Sequence, residues 1–106
     1  MRQVLVRYKV KPERVEENEQ LVRAVYEELR RTEPVGLRYA TFKLDDGVSF
    51  VHLAVTESEN AGSPLSKLRA FQEFQKNIDD RTDEGPIATE VEQIGSFRLV
   101  GEAPEH

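Results

Sequence analysis

Few side chains in this chain can do chemistry. There are two histidines, no cysteine and no tryptophan. His52, within "SFVHLAV" (49–55), is the histidine away from the C-terminus, and its ordinary pKa of about 6.5 suits proton abstraction at neutral pH. The other reading is a structural histidine at a subunit interface, hydrogen-bonded to Thr41 or to a carboxylate of a partner. One internal histidine builds neither a Ser-His-Asp set nor a His-based metal site. Asp79, Asp80 and Asp83 lack the spacing of a calcium loop. The lack of Cys excludes disulfides, thiolate zinc and a cysteine nucleophile. The glycines, at 36, 47, 62, 85, 95 and 101, form no phosphate-cradling loop.

Other candidates sit on helical or strand patterns. Asn18 interrupts an apolar stripe of Val15, Val22, Val25 and Leu29, where it either reaches into a helix–sheet cleft to orient a carbonyl or hydroxyl or, as is commoner near a helix start, stands half-exposed and solvated. Tyr8 and Tyr26 lie on or beside core-facing positions, and each is either a core Tyr with its hydroxyl at the edge, the commoner case, or a phenol lining the same cleft. Phe71 and Phe74 are core residues first and ligand walls second. Arg7 suits an ion pair across a subunit interface or an anion hold.

These residues are carried by an ordered set of elements. QVLVRYKV (3–10) alternates with a period of two and reads as a strand, with Val4, Val6, Tyr8 and Val10 on one face. A helix follows from about 13 to 31, and Pro34 and Gly36 end it. LRYATFKL (37–44) and VSFVHLAV (48–55) make a hairpin around Asp46-Gly47, with Thr41 opposite His52 and Tyr39 opposite Ala54. ESENAGSP is a loop, and Ser63-Pro64 opens a second helix over about 64–80. Residues 82–90 read as a loop, 91–100 as the last strand, and 101–106 as a flexible tail. The order β-α-β-β-α-β, with right-handed crossovers, predicts an α+β, ferredoxin-like sandwich: a four-stranded antiparallel sheet with both helices on one face.

In that hairpin register, Ala40, Phe42, Leu44, Val51, Leu53 and Val55 form the more apolar face, expected beneath the helices. Tyr39, Thr41, Lys43, Phe50, His52 and Ala54 form a mixed face, expected to be left uncovered. The apolar strip of Leu37, Tyr39, Phe50 and Ala54 there predicts a homodimer. His52 then faces away from the helices, and a structural role follows.

The 106 residues fit one domain, covering 1–100. A net charge of −5 argues against nucleic-acid binding. The N-terminus alternates like a strand rather than a signal peptide, and no apolar run is long enough for a membrane span, so a cytoplasmic protein is expected.

"EPVGLRYATFKLDDGVSFVHLAV" (33–55) resembles the helix-to-hairpin passage of the antibiotic biosynthesis monooxygenase-like family, within the dimeric α+β barrel superfamily. "VLVRYKVKPE" (4–13) is similar to that family's first strand and helix start, and "KLRAFQEFQKNI" (67–78) to its second helix. The resemblance implies two ferredoxin-like sheets paired face to face into a dimeric barrel. It also implies a cofactor-independent monooxygenase acting on a small apolar or aromatic molecule in a helix–sheet cleft, with Tyr8, Asn18, Tyr26, Phe71 and Phe74 as substrate-binding candidates. Members often carry a Trp ending the third strand and a His opening the second helix. Here Thr56-Glu57 and Ser66-Lys67 stand near those places. The Asn, Trp and His set of the haem-degrading branch cannot be assembled, so neither haem nor any other cofactor or metal is expected. The missing Trp and His favour a second reading: a binding or dimeric assembly module without turnover.

Overall fold

A computed structural model of the chain describes residues 1–57 and 64–99. Ser63 and the segment 101–106 lie outside them. The elements are β1 (Arg2–Val10), α1 (Val15–Thr32), β2 (Leu37–Lys43), β3 (Ser49–Thr56), α2 (Arg69–Gln75), α3 (Ile78–Arg81) and β4 (Thr82–Glu90), with 3₁₀ turns at Pro12–Arg14 and Pro64–Lys67. The four strands form one antiparallel sheet in the order β2-β3-β1-β4, and the helices pack on one face, as a ferredoxin-like α+β fold requires.

The hairpin register follows its turn. Thr41 pairs with His52 and Tyr39 with Ala54. Gly47 takes the positive φ that the turn needs, at 80°. The Asp46 carboxylate accepts from the backbone N–H groups of Val48 and Ser49 and from the Ser49 hydroxyl, which holds its pKa down at about 2.

The facing of the sheet is the reverse of the expectation. Tyr8, Val10 and Phe50 are buried against Val22, Val25, Leu68 and Phe74, so the mixed face of β2 and β3 lies beneath the helices. β1 decides this. Val6 pairs with His52 and Tyr8 with Phe50, so the sharply apolar face of β1 shares its side with the mixed face of β3. The strip of Leu37, Tyr39, Phe50 and Ala54 is therefore part of the core region and is not available as an interface. Leu5, Phe42, Val51, Leu53, Val55 and Ile87 occupy the other face, where Phe42 is 47% and Ile87 67% exposed.

Two more expectations fail for local reasons. The single helix over 64–80 is broken: Leu68 is extended between the 3₁₀ turn and α2, and Asn77 adopts the left-handed conformation between α2 and α3. The last strand is Thr82–Glu90, which reads as a loop from its Asp, Gly and Pro. It pairs with β1 through two register shifts, one spanning Gly85-Pro86, and as an edge strand it tolerates proline. Residues 91–99, expected to be the strand, form no regular element, and Ile94 and Phe97 are exposed there.

The facing of Phe50 can be tested directly. Phe50→Ala should cost about 3–5 kcal/mol in urea unfolding, as for a buried aromatic. A loss under about 1 kcal/mol would return Phe50 to the uncovered face.

Candidate functional site

Between the sheet and α2 lies a cavity of about 280 Å³. Val6, Tyr8, Tyr39, His52 and Ala54 contribute from the strands. Leu65, Phe71, Phe74 and Ile78 close it from the helical side. The helical wall is held in place from α1: the Glu28 carboxylate accepts the backbone N–H of Ala70 at 2.7 Å and of Arg69 at 3.3 Å, satisfying orphan donors at the start of α2. A larger groove of about 710 Å³ between α1 and α2 is open and flanked by Glu27, Glu28, Arg31, Arg69 and Glu73. The smaller cavity is the better candidate, because it is more enclosed, mostly apolar and joined by a few convergent polar groups.

Those polar groups form a connected chain. His52 is buried, its Nε2 2.7 Å from the Tyr8 hydroxyl and its Nδ1 2.7 Å from the Tyr39 hydroxyl and 3.0 Å from Thr41 Oγ1. Asn18 Nδ2 donates to the Tyr8 hydroxyl at 3.0 Å, and Arg81 Nε donates to Asn18 Oδ1 at 3.0 Å. On the other side Thr41 Oγ1 lies 2.8 Å from the Tyr26 hydroxyl. Rings brace the imidazole, with Tyr8 stacked at 5.3 Å and Phe74 tilted at 5.4 Å between centroids.

Burial sets the electrostatics. It pulls the His52 pKa down to about 4, so the ring is neutral at pH 7. It pushes the Tyr8 phenol up to about 12, against the opposing pull of the Asn18 hydrogen bond and the Arg81 charge. Tyr39 and Tyr26 are raised chiefly by burial as well, so all three phenols stay protonated. Arg81 is 1% exposed, and its guanidinium lies 5.3 Å over the Phe74 ring.

Of the residues singled out from the sequence, Tyr8, Phe71 and Phe74 line the cavity. Asn18 stands one hydrogen bond behind Tyr8. Tyr26 is outside the cavity and reaches His52 only through Thr41. Arg7 is exposed on the uncovered face. His52, expected to face away from the helices, is in the cavity wall. Thr41, expected from the hairpin register as a hydrogen-bond partner of His52, is one, whereas Tyr39 and Arg81 are not marked as site residues by the sequence. The β1–β3 register turns the face of Tyr39 towards the helices, and nothing in the sequence marks Arg81.

The family model for antibiotic biosynthesis monooxygenase matches residues 1–77. The chain belongs to the antibiotic biosynthesis monooxygenase family. No curated protein matches it. Among solved structures, one described as an antibiotic biosynthesis monooxygenase is 20% identical, with a TM-score of 0.73 over 90% of this chain and 100% of the other. Rv0793 from Mycobacterium tuberculosis is 16% identical, with a TM-score of 0.72 over 90% and 96%. A variant of SnoaB, a cofactor-independent oxygenase from Streptomyces nogalater, is 14% identical, with a TM-score of 0.66 over 91% and 95%. At these identities the likeness is one of fold. Among the described residues of this antibiotic biosynthesis monooxygenase family member, no cluster of three or more His, Asp or Glu could hold a metal, and no helix is long and apolar enough to cross a membrane.

The depressed His52 pKa has a measurable consequence. Because the folded protein resists protonating the ring, the unfolded chain binds more protons between pH 6.5 and 4. The contribution of the neutral ring is thus full above pH 6.5 and is lost as pH falls through about 4. Between pH 7 and pH 4 the wild type should lose roughly 3 kcal/mol more than His52→Gln in denaturant unfolding. The imidazole should titrate near 4 by NMR, and a midpoint at 6.5 or above would place the ring in water.

Proposed function

We propose that this protein is a cofactor-independent monooxygenase acting on a small aromatic molecule held in the helix–sheet cavity. The observation that supports this most is the cavity itself, about 280 Å³, mostly apolar, with a neutral imidazole and two protonated phenols converging on it. A substrate with an acidic CH₂ between aromatic rings supplies all the electrons such a reaction needs. Loss of one proton leaves a delocalised carbanion, which reduces dioxygen directly. The balance is CH₂ + O₂ → C=O + H₂O, with one oxygen atom entering the product and the other leaving as water. The chain's part is to orient the rings between Phe71, Phe74 and Tyr8, exclude water, and take the proton away. The Tyr39 hydroxyl lies 2.7 Å from His52 Nδ1 and, with the ring proton on that nitrogen, can turn its own proton towards an enolate oxygen.

A second reading, binding without turnover, is favoured by one observation: both nitrogens of His52 already have partners, so neither is free to act as a base. Anthrone and naphthol serve as probes for both readings. The monooxygenase should show a raised Tm with anthrone and oxygen uptake about tenfold or more above the buffer rate. A raised Tm without uptake would support the binder. No thermal response to either probe would overturn both.

We further propose a homodimer through the uncovered sheet face. Leu5, Phe42, Val51, Leu53, Val55 and Ile87 make that face too apolar for open water. Phe42→Asp should convert the dimer to a folded monomer in sedimentation, because it would bury an unpaired charge. A wild type that is monomeric at micromolar concentration would refute the dimer.

A further inference from the structure

The hydrogen-bond chain through His52 has a fixed direction and two ends. A guanidinium only donates, so Asn18 Oδ1 must accept from Arg81, and this orients the amide. Asn18 Nδ2 then donates to Tyr8, whose own proton is left for His52 Nε2. With Nε2 accepting, the single proton of the neutral ring sits on Nδ1, facing Tyr39 and Thr41. Thr41 in turn contacts the Tyr26 hydroxyl. Thr41 and Tyr26 both line a second cleft of about 370 Å³, which is open and flanked by Glu19, Arg23 and Lys43. The Lys43 ammonium and Arg23 guanidinium both pair with the Glu19 carboxylate there.

We propose that Tyr8, His52, Thr41 and Tyr26 form a proton relay joining the helix–sheet cavity to this surface cleft. A proton entering at the Tyr8 oxygen displaces the Tyr8 proton onto Nε2. The Nδ1 proton passes to Thr41 Oγ1, the Thr41 proton to the Tyr26 oxygen, and the Tyr26 proton to water in the cleft. One proton enters, one leaves, and every group ends neutral with the ring in its other tautomer. Burial disfavours both imidazolium and phenolate here, so a stepwise route through either ion is opposed while this concerted shift is not. As the exit for a substrate proton the relay rests on the monooxygenase reading. As a property of the empty protein it does not.

The test uses the ligand-free, ¹⁵N-labelled protein, reading the exchange of the His52 ring N–H with water by NMR. Thr41→Val removes one hydroxyl at nearly constant shape and should slow that exchange about tenfold or more; Tyr26→Phe should do the same. Thr41→Ser should restore it. Backbone amide protection at Val51 and Leu53 reports any change in local opening, and should stay as in the wild type. If the wild-type ring proton exchanges too fast to observe, both hydroxyl-free variants should bring it into view. Wild-type exchange in both variants would overturn the relay, as would a ring proton unseen in all of them. So would ¹⁵N shifts placing the resting proton on Nε2. Should Thr41→Val fail to fold, Tyr26→Phe against Thr41→Ser decides. An absence of oxygen uptake leaves all these rates unchanged, so the two readings fail separately.

Discussion

Arg81 is a cation with almost no access to water, and among the described residues it has no carboxylate within ion-pair distance. Such a group persists only if its donors are satisfied. The structure meets this with the Asn18 amide and with the carbonyls of Phe74 at 2.7 Å and Lys76 at 3.4 Å. Both carbonyls lie where α2 ends, and a helix C-terminus offers unpaired acceptors and partial negative charge to a cation. A longer second helix would have used up those acceptors. The break at Asn77 and the polar Asn18 inside an apolar stripe therefore answer the same need. From that anchor the chain of hydrogen bonds runs on to Tyr8 and His52, so the site inherits its direction from one buried charge.

The sheet divides its apolar residues between two tasks. One face carries the core and the cavity, and there the polar groups are internally satisfied. The other carries more aliphatic residues and no described helix. A face in contact with solvent should be polar at most positions, and this one is not. The cavity face tolerates polar residues because each has a partner within the fold. The uncovered face shows no such network among the described residues, and its polar side chains include Gln3, Arg7, Lys9 and Arg38.

Much of this was legible from the sequence, for identifiable reasons. Asp46-Gly47 between alternating runs determined the hairpin register, since a two-residue slip would strand the turn glycine. Period-two alternation separates the two faces of a strand but does not say which face meets the helices. Hydrophobicity pointed the wrong way here because the uncovered face is itself rich in apolar residues, while the face beneath the helices carries the polar His52, Thr41 and Tyr39. β1, with Val4, Val6, Tyr8 and Val10 against Leu5, Arg7 and Lys9, carried the clearer signal, but using it requires its register with β3. β4 was hidden by Gly85-Pro86, which an edge strand accepts and an interior strand does not. The alternation of residues 91–100 suggested a strand, yet alternation shows only that a segment could pair. Asn18 was visible as a polar interruption of a stripe. Arg81 was not, since a cation near a helix end is usually solvated.

The same burial that organises the site limits what it can do. His52 cannot hold a proton cheaply, and Tyr8 and Tyr39 cannot lose one, so the protein's own side chains offer no stable place for a charge produced by deprotonation. That leaves the negative charge on whatever occupies the cavity. Arg81 is the compensating element: its field reaches Tyr8, where it opposes the effect of burial on the phenol. An anion beside Tyr8 would feel that attraction, made stronger by the mostly apolar walls of the cavity. A neutral ligand would gain much less. On the monooxygenase reading the arrangement would thus favour a conjugate base over its neutral ligand, which is what a site must do if it is to lower the pKa of what it binds without a strong base of its own.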